Sequence, residues 1–316
     1  MSFSLEVKME LSHIEESAEC CRRAELAGIL RAGLSLRHTP DGPRLLLATE
    51  NAPLSRRLFT LIKEIYRFEP KISMLKTRRF KAHAVYRLDF SGLMEEGGRK
   101  VLDGIGLLAD QASGEMVYHH FKTRNRCCKR AYLRGCFLAN GSISDPDKSY
   151  HLEVAFRSKV QADEFMNYLK EFGLEPRFIM RKNHFLVYLK EGQEIVDFLN
   201  VIGAHNALMN LENIRIMKEM RNQVNRIVNC ETANLSKTVD ASFRQTESIR
   251  YIKEHSGLEN LPKPLYQIAL LRLENPDVSL TELGKMLNPP LSKSGVNHRL
   301  RKIEKIAESL GFDYKS

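Results

Sequence analysis

The sequence predicts an α+β fold built from two similar halves and followed by a separate all-α domain. Three observations carry that reading. One order of helical and strand-like runs occurs twice before residue 210. Each copy opens with a helix that carries small residues at close spacing. After residue 260 the chain reads as short capped helices with a Pro-rich break before the last. A length of 316 residues suits two domains, and a hydrophobic content of 43% gives each a core to bury.

The second copy is the clearer one. Arg130 to Ile143 reads RAYLRGCFLANGSI, with Leu133, Phe137 and Leu138 at helical spacing and Gly135 and Ala139 between them. Asn140-Gly141 is expected to end this helix in a left-handed turn. His151 to Arg157 alternates like a strand, and Val160 to Phe172 is amphipathic. After Glu175-Pro176, two strand-like runs flank Arg181-Lys182-Asn183 as a hairpin, and Glu194 to Ile202 closes as a helix.

The first copy repeats this order. A helix over Glu25 to Leu36 carries Ala27, Gly28 and Ala32, a strand covers Arg44 to Thr49, and a helix covers Leu54 to Phe68. Glu69-Pro70 precedes a hairpin pair, Lys71 to Lys76 and Ala84 to Phe90, and a last helix is expected over Lys100 to Leu108. Each half is therefore α-β-β-α-β-β-α, although the strand after each opening helix is weakly marked. Small residues let two helix backbones approach closely, so the two opening helices are candidates for a pseudo-twofold seam.

Residues 210 to 260 read as helical, interrupted by Asn229 to Thr238, where the interdomain linker is expected. A helix over Leu265 to Leu273 follows. Ser279 then caps a helix over Leu280 to Leu287 with Glu282 in the capping-box position, and Asn288-Pro289-Pro290 breaks the chain. Ser292 or Ser294 caps a final helix that ends near Leu310. This is a helix-turn-helix pattern with a slightly long turn, in which Gly284 supplies the small residue before the turn. Leu280, Leu283 and Leu287 are expected to pack on Val296, Leu300 and Ile303.

The final helix is the candidate reader of a DNA groove. Lys293, Ser294, Asn297, His298 and Arg301 fall near its N-terminal exposed side, where Asn and Arg suit adenine and guanine edges. Arg299, Lys302 and Lys305 suit phosphates, which anchor without reading sequence. Ser279, Thr281 and Ser292, at the helix starts, complete the set. The expected domains are 1–225, with halves of about 1–112 and 125–210, and 226–316.

The formal net charge of +10 favours a polyanionic partner. Arg56, Arg57, Lys76, Arg78, Arg79 and Lys81 in the first half, and Arg177, Arg181 and Lys182 in the second, are candidates for a basic surface. No run of 18 apolar residues is present, and Met1 to Glu10 lacks a signal-peptide core, so a cytoplasmic protein with no membrane partner is expected. The six cysteines, Cys20, Cys21, Cys127, Cys128, Cys136 and Cys230, form neither a disulfide framework nor a CxxC zinc pattern. Adjacent cysteines chelate a tetrahedral ion poorly on their own, so reduced thiols and no metal or other cofactor are expected. No P-loop, HExxH or GxSxG motif is present.

Leu26-Ala27-Gly28-Ile29-Leu30-Arg31-Ala32 and Leu133-Arg134-Gly135-Cys136-Phe137-Leu138-Ala139-Asn140-Gly141 resemble degenerate LAGLIDADG motifs of homing endonucleases. The resemblance covers residues 20 to 205 and implies paired helices between two αββαββα halves, with saddle-shaped sheets that lie along DNA. It also implies a metal-binding acidic residue near the end of each motif helix. Gly33 and Asn140 stand there instead, and neither supplies the carboxylate that metal-assisted phosphodiester cleavage requires. Asp145 and Asp147 fall past the helix end in a turn.

Joined to a C-terminal helix-turn-helix, such a domain resembles the WhiA family of bacterial sporulation and cell-division regulators. That resemblance implies a transcription factor or nucleoid-associated protein, active in cell division, chromosome segregation and, in spore formers, sporulation. Double-stranded DNA is the implied partner and no enzyme activity is expected. The rival readings are a metal-dependent nuclease and a scaffold that holds a protein such as a sigma factor.

Overall fold

The structure is a computed structural model that describes residues 2–40, 42–77, 83–110 and 115–313. The chain divides into two units, Met1–Lys218 and Glu219–Ser316. The first half of the first unit runs α1 (Phe3–Ser12), α2 (Glu19–Gly33), β1 (Ser35–Thr39), β2 (Gly42–Thr49), α3 (Ala52–Tyr66), β3 (Lys71–Thr77), β4 (His83–Asp89) and α4 (Glu96–Gly104). A hairpin of β5 (Leu107–Asp110) and β6 (Glu115–Tyr118) follows. The second half runs α5 (Arg126–Asn140), β7 (Gly141–Ile143), β8 (Leu152–Phe156), α6 (Lys159–Glu171), β9 (Arg177–Arg181), β10 (His184–Leu189) and α7 (Gly192–Ile202).

The repeat is real in three dimensions. Each half holds a four-stranded antiparallel sheet, ordered β1-β2-β4-β3 in one and β7-β8-β10-β9 in the other. Lys182 and Asn183 both take positive φ between β9 and β10, as a two-residue turn matched to strand twist requires. Burial alternates along β8, with Leu152, Val154 and Phe156 inward, and Val187 and Leu189 of β10 pair with Val154 and Leu152. That face joins the core of the unit, and the opposite face is open.

The seam between the halves is α2 against α5, equivalent helices that run in parallel. A Cβ on Gly28 would lie 2.4 Å from the Tyr132 carbonyl oxygen. The equivalent Cβ on Gly135 would lie 2.2 Å from the Glu25 carbonyl oxygen. Backbones this close exclude any side chain at either position. Two buried arginines pair with carboxylates along the seam. Arg31, fully buried, bonds Glu164 through Nη2 at 2.7 Å and the Ile105, Gly106 and His119 carbonyls through Nη1. Arg134 donates from Nε to Glu25 Oε2 at 2.9 Å and pairs with Glu16.

Several boundaries differ from expectation. The first seam helix begins at Glu19 and ends at Gly33, and Leu36 lies in β1. α1 and the β5–β6 hairpin were not expected, and Leu107 and Leu108 belong to that hairpin rather than to a helix. Gly141 is extended (φ −74°, ψ 152°) instead of left-handed. Its lack of a side chain serves packing, because a Cβ there would meet the Phe137 ring.

The expected interruption at Asn229 to Thr238 is absent, since those residues continue α8 (His205–His255). Their polar side chains bond along the helix, as where Thr238 Oγ1 donates to the Asn234 carbonyl at 2.9 Å. Turn propensity is a small term per residue and does not end a helix unaided.

The second unit has its own core. Ile249 and Ile252 of α8 pack with Leu265, Ile268 and Ala269 of α9 (Lys263–Glu274). Leu283 of α10 (Leu280–Met286) and Val296, Leu300, Ile303 and Ala307 of α11 (Lys293–Ser309) complete it. Leu287 joins this core, and Leu280 is half-buried against it, as the sequence pattern predicts.

Candidate nucleic-acid interface

The helix pair α10 and α11 is set by local chemistry. Ser279 caps α10, its Oγ accepting from the Glu282 backbone N–H at 3.3 Å while Glu282 Oε2 accepts from the Ser279 N–H at 3.2 Å. The Ser279 hydroxyl, donating to Glu282 Oε2 at 2.8 Å, and then the Ser279 N–H lower the Glu282 carboxyl from its ordinary value. Gly284 faces the turn: its carbonyl accepts from the Leu291 N–H at 2.9 Å, and a Cβ there would lie 2.2 Å from the Leu291 carbonyl oxygen. Ser292 caps α11 through the Gly295 N–H. Arg272 of α9, buried, binds Gln245 of α8 through Nε and Nη2 and the Val278 carbonyl through Nη1 at 2.7 Å. It anchors the loop before α10, and sequence reading gave no sign of it because nothing in spacing marks a long-range arginine contact.

The residues singled out from sequence do not form one patch. Lys293, Ser294 and Asn297 share a shallow hollow with Leu280 and Ser292 at the start of α11. Thr281, Lys293, Ser294, His298, Arg301, Lys302 and Lys305 are exposed, and Asn297 is half-buried. Arg299 is half-buried and its Nη1 reaches the Pro264 carbonyl at 3.4 Å, so it leans on α9. Arg301 and Lys305 line a second groove with Arg244, Glu304 and Glu308, whose carboxylates offset part of the positive charge. Ser279 and Ser292 are occupied as caps.

The proposed basic surface of the first unit needs revision. Arg57 is not on it: its Nη2 bonds Glu25 Oε2 at 2.9 Å within the interior ion-pair cluster. Arg56 is exposed, but on helix α3. Arg78, Arg79 and Lys81 lie outside the described residues, as does the side chain of Lys76. Arg177, Arg181 and Lys182 are exposed. Strand alternation puts Arg177 and Arg181 on the face opposite buried Val187 and Leu189.

The other sheet supplies cations that sequence reading missed. Arg37 stands directly opposite Arg44 across the β1–β2 pair, and Arg87 lies on the same face, opposite to Leu45, Leu47 and Leu88. Arg44 meets Asp89 at 3.5 Å. Like charges directly opposed on a sheet are unfavourable unless an anion lies across them. Their pairing depends on register, which the weakly marked β1 did not disclose.

Gly33 and Asn140, where the LAGLIDADG resemblance implies metal ligands, offer no carboxylate. Asn140 turns its Nδ2 toward protein, donating to the Ala32 carbonyl at 2.7 Å and the Ala155 carbonyl at 3.1 Å. A Cβ on Gly33 would lie 2.8 Å from Leu47 Cδ1, so a side chain there has to displace the Leu47 side chain. Among the described residues, the one group of three or more metal-ligating side chains lies at the opposite end of the seam helices. It consists of Cys20, Cys21, Cys127 and Cys128, whose sulfurs all lie within 4.8 Å of one another. The sequence reading saw two separate pairs with no CxxC spacing; the fold places them side by side. Each pair alone is a poor chelator, but the repeat brings the two pairs together. Burial pushes the Cys128 thiol up to about 11 and raises Cys21 further, while a hydrogen bond with Cys21 lowers Cys127.

Comparison with known proteins agrees with this architecture. Residues 19–108 match the model of the WhiA N-terminal LAGLIDADG-like domain, 129–221 the WhiA LAGLIDADG-like domain, and 224–307 the WhiA C-terminal HTH domain. A probable cell division protein WhiA of Heliobacterium modesticaldum is 47% identical over 98% of this chain and 97% of its own length. One of Clostridium botulinum is 47% identical over 98% of this chain and 99% of its own. The crystal structure of full-length DUF199/WhiA from Thermatoga maritima, 29% identical, covers 99% of this chain and 100% of its own with a TM-score of 0.57. Among the described residues no helix is long and apolar enough to cross a membrane. With both LAGLIDADG-like halves and the C-terminal HTH domain present in order, the chain belongs to the WhiA family.

Proposed function

We propose that this protein is a DNA-binding transcriptional regulator or nucleoid-associated protein that acts in cell division, chromosome segregation and, where the host forms spores, sporulation. It does not cleave DNA. The observation that carries this reading is α11, whose buried side (Val296, Leu300, Ile303, Ala307) is set against the α9–α10 core. Its other side exposes Lys293, Ser294, His298, Arg301, Lys302 and Lys305. Lys293, Ser294 and Asn297 read base edges from the start of the helix, Thr281 and Lys302 bind phosphates, and the protein works on the nucleoid in the cytoplasm. The domain limits 1–225 and 226–316 remain our division of labour: a saddle for backbone contacts and a reader for sequence. Tethering two weak surfaces raises avidity without new contacts.

A second reading, a scaffold for a transcription protein such as a sigma factor, is favoured by one observation. Ile216, Met220, Val224, Ile227, Leu235 and Val239 of α8 are exposed apolar side chains. Fluorescence anisotropy of the full chain on duplex DNA across a salt series separates the readings. With DNA as the main partner, affinity falls steeply with salt. The double variant Lys293→Glu/Arg301→Glu then loses at least tenfold in affinity, while Lys302→Ala lowers the log–log slope by about one. Unchanged affinity in that variant sinks the reader assignment.

A further inference from the structure

We propose that Cys20, Cys21, Cys127 and Cys128 form a four-thiolate site for a single thiophilic cation, zinc foremost, that clamps the N-terminal ends of the two seam helices. The site comes from the repeat. Cys20 and Cys21 occupy the first turn of α2, and Cys127 and Cys128 the equivalent first turn of α5. Because the two helices run in parallel, both pairs arrive at one end of the seam. Each pair contributes one exposed and one buried thiol.

The geometry suits a mononuclear tetrahedral ion. All four sulfurs lie within 4.8 Å of one another, and Cys127 Sγ is 4.0 Å from Cys128 Sγ. Zinc–sulfur bonds of about 2.3 Å give a tetrahedron with edges of about 3.8 Å, so the sulfurs close by about 1 Å or less on binding. An iron–sulfur cubane needs its four cysteine sulfurs spread farther apart than this. Four sulfur donors also select a soft cation over magnesium or calcium.

Neither helix has a side-chain cap: Ala18 and Asn125 make no capping hydrogen bond. The positive ends of the two helix dipoles both lie at this end of the seam and favour negative charge there. A cation would release the thiol protons and hold the two halves together where the chain enters each motif helix, far from the former nuclease positions Gly33 and Asn140.

The test is metal analysis of the full chain purified under reducing conditions without added metal. One zinc per chain is expected. Cobalt(II) in its place is expected to give the intense thiolate charge-transfer and d–d bands of a tetrahedral sulfur site. The variant Cys20→Ser/Cys127→Ser, which changes only the two exposed ligands, is expected to lose the zinc, and Cys230→Ser to keep it. A strong chelator should lower the melting temperature of the wild-type chain and not that of the double variant. Absence of zinc together with no tetrahedral cobalt spectrum in the wild-type chain overturns the proposal whatever the variants do. Disulfides among these four cysteines in the reduced preparation, or an iron–sulfur chromophore, overturn it equally.

Discussion

Gly28 and Gly135 are reciprocal positions of one helix–helix contact, each lying against a backbone carbonyl of the other helix, Gly28 on Tyr132 and Gly135 on Glu25. The repeat is thus joined backbone to backbone, which fixes the spacing of the two sheets and of every group buried along the seam.

Gly135→Ala is expected to cost about 3 kcal/mol or more, because the new Cβ would lie 2.2 Å from a carbonyl oxygen that neither helix can move without repacking the seam. Chemical denaturation of the first unit's signal measures it. Wild-type stability in this variant would mean that the helices are farther apart than described.

Asn140→Asp puts an acidic residue at one position where the LAGLIDADG resemblance implies a metal ligand, and no cleavage of duplex DNA with magnesium or manganese is expected. Gly33 supplies no partner carboxylate, and a single carboxylate does not hold the metal ions that the reaction uses. The variant should instead lose about 1–3 kcal/mol, since the donor to the Ala32 and Ala155 carbonyls becomes an acceptor facing acceptors. Protein-dependent nicking by the wild type or this variant would return the nuclease reading.

Glu164 gives the seam a pH dependence. Burial raises its carboxyl from the ordinary 4.5 to about 7, and the Arg31 guanidinium only partly offsets this. A carboxyl whose folded pKa is raised binds its proton more tightly in the native state than in the unfolded chain. Its contribution to stability therefore falls as pH rises from 4.5 to about 7 and is level beyond. The fall is on the order of 3 kcal/mol. The melting temperature of the wild type relative to Glu164→Gln should decline across that window, and a constant difference would show that Glu164 titrates normally.

Arg37 and Arg44 test the saddle. Replacing both with alanine removes a like-charge pair, so stability should hold or rise slightly, while DNA affinity and salt slope should both drop if phosphates lie across that sheet. Equal affinity in the double variant would leave the second unit as the DNA-binding part.

The sequence by itself determined the repeated order of elements, the seam helices, the capping box at Ser279 and the packing of Leu283 and Leu287 on Val296, Leu300 and Ile303. Those features are local, written in helical and strand periodicity and in cap chemistry that acts over three or four residues. Only the tertiary structure decided which cations are at the surface. Arg57 and Arg299 look like their neighbours in sequence, yet one is held by Glu25 and the other leans on Pro264. Tertiary structure alone also opposed Arg37 to Arg44, tied Arg272 to Gln245, and carried α8 through a run of turn-forming residues. It brought Cys20 and Cys21 to Cys127 and Cys128, more than a hundred residues away in the chain. The physical reason is the same in each case: charge pairing, strand register and metal-ligand geometry depend on distance in space, which a one-dimensional pattern carries only when the partners are near neighbours along the chain.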